Sequence, residues 1–276
     1  MPLSLTARGA IGWDETGRAD DPPLVLIQGL GSQLVGWAPG FTRLLADAGF
    51  RVLRYDNRDV GLSQRFPAGG YTIGDLADDL EALLDDRGIA AAHVVGQSMG
   101  GMVAQELALR HPERVRSLAL LYTTASPRHL LRADVLDEES VLPDPLAPTT
   151  RERFIPYYVR GEATCASRVY PQDTSWLTEL AGTVWDRGWE PDGAARQRAA
   201  IRARGDRLDA VAAITTPTVV LAGDADQQID AAGSVELAAA IPGARLHIYP
   251  GLGHEIARPV WDDLVGRIAA NAARAS

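Results

Sequence analysis

Short runs of leucine and β-branched residues recur along this chain, separated by longer stretches of helical period, and this alternation restricts its fold more than any other feature. From Leu24 onward the runs are Leu24–Gln28, Arg51–Tyr55, His93–Gly96, Val115–Tyr122, Thr218–Ala222 and Arg245–Tyr249. They predict an α/β fold: a mostly parallel central sheet flanked by helices. Ile73–Arg87 shows the intervening pattern. Ile73, Leu76, Ala77, Leu80, Leu83 and Leu84 share one helical face, and Asp75, Asp78, Asp79, Asp85 and Asp86 fall largely on the other. Ahead of Leu24, Leu3–Gly9 and Ala10–Trp13 suit an antiparallel hairpin at the sheet edge.

The alternation stops between Ala125 and Asp209. There Pro127, Pro143, Pro145, Pro148 and Pro156 punctuate acidic and aromatic segments without a clear strand. Residues 1–124 with 210–276 therefore read as a core domain, and 125–209 as an inserted helical cap. The insertion carries Trp176, Trp185 and Trp189, with Tyr157, Tyr158 and Tyr170. The three tryptophans and Tyr157 are candidates for an apolar substrate pocket; the alternative is that these rings pack the cap onto the sheet.

The sharpest chemical signal is Gly96-Gln97-Ser98-Met99-Gly100, a G-x-S-x-G sequence between a predicted strand and a predicted helix, Met99–Arg110. Such a strand-to-helix turn exposes the serine hydroxyl, and its glycines let strand and helix cross closely. The bland reading is a serine that only caps the helix. As a nucleophile Ser98 needs a base, and five histidines are available. His93 opens a strand, His111 ends a helix, His129 lies at the cap entrance and His247 is within a strand. His254 instead sits in the glycine-rich loop Tyr249–His254 after the last strand, where an imidazole can hang over the sheet edge. The orienting carboxylate should leave another strand end, and Asp224 and Asp226 both follow Thr218–Ala222. Asp226 is preferred because it lies further past the strand-ending Gly223, whereas Asp224 is close enough to bond loop backbone. For an oxyanion hole, Met99 N–H is one donor and Leu30 N–H, between Gly29 and Gly31, is the second.

The composition excludes several classes. A net charge of -9 with scattered arginines argues against nucleic acid or anionic lipid as partners. One cysteine, Cys165, permits no intramolecular disulfide, thiolate zinc cage or iron–sulfur site. No apolar run is long enough for a membrane span and no basic, then apolar, leader opens the chain, so a cytoplasmic protein is expected. The Ala- and Arg-rich, lysine-free composition suits a GC-rich bacterial genome. No metal or organic cofactor is implied, and nothing sets an oligomeric state.

These blocks together resemble the α/β-hydrolase superfamily over nearly the whole chain, in the triad order Ser, Asp, His. Arg54–Ser63, Gly29-Leu30-Gly31, Leu76–Gly88, Gly96–Gln105 and Gly251–His254 resemble a branch containing bacterial carboxylesterases and lipases, among them aclacinomycin methylesterase-like hydrolases. One departure is Gln28-Gly29, where many relatives carry His-Gly. Asp56, Asn57, Arg58 and Asp59 are expected to brace the loop beneath the oxyanion turn.

The resemblance implies a serine hydrolase cleaving a carboxylic ester of a small or medium apolar substrate through an acyl-enzyme. Serine at position 98 disfavours the aspartate-nucleophile variants of the fold. Alternatives are the same triad acting on a thioester, lactone, amide or carbon–carbon bond, and a non-catalytic small-molecule binding protein of the same fold.

Overall fold

The computed structural model describes residues 2–131 and 147–275; Pro143 and Pro145 of the expected insertion lie outside them. The strands are β1 (Leu3–Thr6), β2 (Gly9–Thr16), β3 (Pro23–Ile27), β4 (Arg51–Tyr55), β5 (Ala92–Gln97), β6 (Val115–Leu121), β7 (Thr218–Gly223) and β8 (Arg245–Tyr249). They form one sheet in the order β1-β2-β4-β3-β5-β6-β7-β8. The β1–β2 and β2–β4 pairs are antiparallel, and all later neighbours are parallel. The edge hairpin is present, with β2 running on to Thr16 because Trp13–Thr16 pairs with β4.

Strands β3 to β7 are largely buried on both faces, with side chains alternating between two cores, whereas β8 at the sheet edge is partly exposed. On β3, Val25 and Ile27 join the core that includes α2 (Ile73–Asp86) and α3 (Met99–Arg110). Leu24 and Leu26 join the opposite core with α1 (Pro39–Asp47) and the C-terminal helix. The continuous apolar runs of the sequence are thus the signature of strands covered on both sides.

Helix α2 starts at a capping box, with the Thr72 hydroxyl accepting from Asp75 N–H while the Asp75 carboxylate accepts from Thr72 N–H. Its apolar stripe is buried as expected. Asp79 departs from the expected solvent-facing acids. It is buried and receives Arg58 Nε and Nη2, both at 2.6 Å, and Arg8 Nε at 2.8 Å. Two guanidinium groups compensate a carboxylate that water no longer reaches.

Between β6 and β7 the chain forms α4 (Arg151–Glu162), α5 (Thr174–Asp186), α6 (Pro191–Arg204) and the single turn α7 (Leu208–Val211). Pro156 lies inside α4 rather than at a break. These helices have a small core of their own around fully buried Phe154, with Leu177, Leu180, Ala181 and Val184 of α5. After β7 follow α8 (Ala231–Ala240), β8 and α9 (Trp261–Ala272). Because β3 to β8 are parallel, the loops leaving β3, β4, β5, β7 and β8 emerge at one edge of the sheet, where α/β folds bind ligands.

Candidate active site

Ser98 follows β5 directly and precedes α3 with φ 54° and ψ -122°, a conformation costly for a residue with a Cβ. The surroundings hold it there. Ser98 N–H donates to Leu121 O at 3.0 Å, and the Thr123 hydroxyl donates to Ser98 O at 2.7 Å. Close approach explains the flanking glycines: a Cβ at Gly96 would lie 2.3 Å from Gly100 O, and one at Gly100 would lie 2.2 Å from Ile27 O.

His254 reaches Ser98 from the loop after β8. Its Nε2 lies 2.9 Å from Ser98 Oγ, and its Nδ1 lies 2.7 Å from Asp226 Oδ2. A carboxylate only accepts, so Nδ1 carries the proton and the Nε2 lone pair faces the serine hydroxyl. Asp226 is held in turn by its other oxygen, which accepts from Gln228 N–H at 2.7 Å and Ile229 N–H at 3.0 Å. The structure therefore brings Ser98, His254 and Asp226 into one hydrogen-bonded chain. Asp224 is turned away and accepts from Gly251 N–H at 2.6 Å, bracing the histidine loop.

The other four histidines stand elsewhere. His93 Nδ1 bonds Ser117 Oγ at 2.9 Å inside the sheet, where burial lowers its pKa. His111 meets Asp78, His129 meets Glu236, and His247 packs edge-on against Tyr249.

Leu30 and Met99 carry the two expected backbone donors. Met99 opens α3, and a Cβ on Gly29 would lie 3.3 Å from Ser98 Cβ, so the β3 loop runs against the nucleophile. Among the described residues no hydrogen bond occupies the N–H of Leu30 or of Met99. Where many relatives carry histidine, Gln28 is buried; its Oε1 receives Gln97 Nε2, and Gln97 Oε1 receives the Tyr122 hydroxyl at 2.5 Å. The Tyr122 ring lies 4.6 Å from the His254 ring. Asp56 to Asp59 all bond inward. Asp56 accepts from Leu34 and Leu62 N–H, Asn57 donates to Gln28 O, Arg58 pairs with Asp79, and Asp59 accepts from Tyr71 and Arg196.

A cavity of about 280 Å³ opens beside His254 and Gln97. Its walls include Trp37, Phe41, Tyr122, Tyr158, Trp176 and Trp261. Of the aromatic residues expected around a pocket, Trp176 is on this wall. Trp185, Trp189 and Tyr157 are not, which corrects that expectation. Trp185 and Trp189 stack 6.0 Å apart, and both pack on Phe154, at 5.4 and 4.6 Å, with Tyr157 against Trp189 at 6.2 Å. Trp185 lies in the last turn of α5 and Trp189 follows the chain reversal at Gly188, whose φ of 93° turns the chain back so that both rings meet Phe154. The sequence reading missed Trp37, Phe41 and Trp261, which reach the cavity from core elements and carry no motif. It also missed Glu162, at the C-terminal end of α4, whose carboxyl is pushed up by burial although Tyr158 and His254 pull it down. Among the described residues no group of His, Cys, Asp and Glu is disposed to hold a metal ion, and no helix is long and apolar enough to cross a membrane.

The family model described as the alpha/beta hydrolase fold matches residues 22–257. The chain belongs to the α/β-hydrolase family. This α/β-hydrolase is 34% identical to a relative named carbamate hydrolase RutD from Variovorax paradoxus (strain S110), over 86% of each chain. It is 40% identical to rhodomycin D methylesterase DauP from Streptomyces sp. (strain C5), a match covering 44% of this chain and 42% of that protein. Among solved structures it resembles the enol-lactonase from Burkholderia xenovorans LB400, with 26% identity, a TM-score of 0.73 and 99% of each chain covered. These relatives make the chain a hydrolase of that family.

Proposed function

We propose that this α/β-hydrolase cleaves a carboxylic ester of a small or medium apolar substrate by a serine mechanism. The observation that carries the reading is the unbroken chain Asp226 Oδ2, His254, Ser98 Oγ, with both contacts inside hydrogen-bond range and His254 lining an aromatic-walled cavity. Ser98 Oγ attacks the acyl carbonyl as His254 Nε2 takes its proton. Asp226 stabilises the imidazolium that forms. The developing oxyanion is met by Leu30 N–H and Met99 N–H, which among the described residues are bonded to no other group. His254 then returns the proton to the leaving alcohol. Water, activated by the same imidazole, frees the acid and restores Ser98.

Residues 1–124 and 210–276 act in this reading as the catalytic core and 125–209 as a cap, with Trp176 in contact with substrate. The rings of Trp37, Phe41, Trp176 and Trp261 favour an apolar acyl or alcohol group. Ester bonds are also consistent with the methylester named for DauP. The test is fluorophosphonate labelling combined with turnover of a panel of esters, thioesters, lactones and amides. Labelling abolished by Ser98→Ala, with esters the best substrates, supports the reading. Folded wild-type protein that takes no label, or that prefers amides, rejects it.

A further inference from the structure

The inserted segment reaches past the cavity into the loop that carries Leu30. Helix α6 lies against that loop and the loop after β4: a Cβ on Gly31 would sit 3.1 Å from Ala194 Cβ, and one on Gly193 would sit 2.2 Å from Asp59 O. Four residues further along α6, the fully buried Gln197 spends both ends of its amide on core backbone. Its Oε1 accepts from Gly31 N–H at 2.7 Å, and its Nε2 donates to Arg58 O at 2.9 Å.

Gly29-Leu30-Gly31-Ser32 is a four-residue turn closed by Ser32 N–H to Gly29 O at 3.3 Å, with Gly31 at φ +68°. Positive φ at the third position marks the turn in which the central peptide, Leu30–Gly31, is flipped relative to the commoner form. Gly31 N–H belongs to that peptide, so its bond to Gln197 holds the flip. The preceding peptide contains both Gly29 O and Leu30 N–H, which point to opposite edges of a trans unit. With Gly29 O drawn to Ser32, Leu30 N–H is turned outward from the turn. Gly29 itself lies against Ser98, so the direction of this N–H relative to the nucleophile depends on the turn keeping its form.

We propose that Gln197 is a positioning residue for the oxyanion hole: by fixing the Leu30–Gly31 peptide it keeps Leu30 N–H aimed at the reacting carbonyl oxygen. This rests on the serine-esterase reading above and extends it, because one donor then depends on how α6 of the inserted segment is seated. Ground-state binding in the cavity does not pass through Gln197, whose amide touches backbone alone. Its loss acts on transition-state charge.

The test compares wild type with Gln197→Met, which keeps the volume but has no comparable acceptor for Gly31 N–H. Steady-state hydrolysis of a p-nitrophenyl ester, inhibition by a trifluoromethyl ketone and thermal melting are measured on both. The ketone forms an alkoxide on Ser98 and so reports the hole directly. Gln197→Met is expected to lower kcat about ten- to a hundredfold with KM little changed, since misplacement of about 1 Å near the chemistry costs up to about a hundredfold. Inhibitor affinity should fall in parallel. A Gln197→Met protein that melts lower but keeps kcat and inhibitor affinity overturns the proposal, as does a loss that falls on KM with kcat unchanged. Fluorophosphonate labelling of the same preparations, with Ser98→Ala as control, reports the nucleophile independently. The two readings therefore fail separately.

Discussion

Asp226 divides its two oxygens between His254 and its own turn: Oδ2 lies 2.7 Å from His254 Nδ1, and Oδ1 accepts from Gln228 and Ile229 N–H. In Asp226→Asn an amide that donates to Nδ1 would force the imidazole into the wrong tautomer, leaving no lone pair for Ser98. We expect kcat on a p-nitrophenyl ester to fall about 10³- to 10⁴-fold, the order seen when such an acid is neutralised in serine hydrolases. Asp224→Asn, which touches Gly251 N–H alone among these groups, should cost less than about tenfold, about 1.4 kcal/mol. The reverse ranking would reassign the acid.

The aromatic residues of the insertion separate into a wall and a core. Phe154 is fully buried beneath Trp185 and Trp189, so Phe154→Ala should destabilise the protein by about 3 to 5 kcal/mol, seen as a lower denaturation midpoint. Trp176 lines the cavity, and Trp176→Ala should raise KM for bulky apolar esters about tenfold with kcat and stability changed less. A Trp176→Ala enzyme with unaltered KM across ester sizes would remove that side chain from the binding surface.

Arg187 of the segment after α5 reaches the wholly buried carboxylate of Asp56. Burial raises the Asp56 pKa above the usual carboxylate value, with Arg187 the largest influence pulling it back down. A folded pKa above the unfolded one contributes stability at low pH that is lost as pH rises through the folded value. Arg187→Met pushes that pKa further up. The variant should therefore be about 3 to 5 kcal/mol less stable than wild type at neutral pH, and the gap should narrow once acid protonates Asp56. Urea titrations at several pH values check this, and a pH-independent gap would contradict it.

The same sign holds for Glu162, whose carboxyl burial pushes up. Its anion is a neutral-pH liability that an amide removes while still accepting from Tyr158. Glu162→Gln should raise the melting temperature at pH 7 and leave it unchanged well below the ordinary glutamate pKa. A lower melting temperature at pH 7 would show that the anion earns more from His254 and Tyr158 than it loses to burial.

The inner strands of the sheet were legible because parallel strands buried on both faces are largely apolar, and Arg51–Tyr55 and Arg245–Tyr249, which carry polar residues, were still read with their observed bounds from the apolar and aromatic residues they contain. The positions of Ser98, Asp226 and His254 were legible for a related reason: each follows a strand end, and parallel strands bring their ends to one edge. Asp79 was misread because helical period shows which face a residue takes, and two arginines from distant loops can make that face hospitable to a charge. Trp185 and Trp189 were placed at a pocket because aromatic rings suit a pocket wall and a helix core equally, and only their common contact with Phe154 separates the two.

The sequence alone determined the class of sheet, the strained serine turn and the order of the three polar residues, since these depend on local period and on glycines where backbones cross. Tertiary structure alone decided which acid faces His254, which rings wall the cavity and how Gln197 reaches Gly31. Those contacts join residues as far apart as 28 and 166 positions, and the chain's local preferences carry no record of which distant surface a side chain will meet.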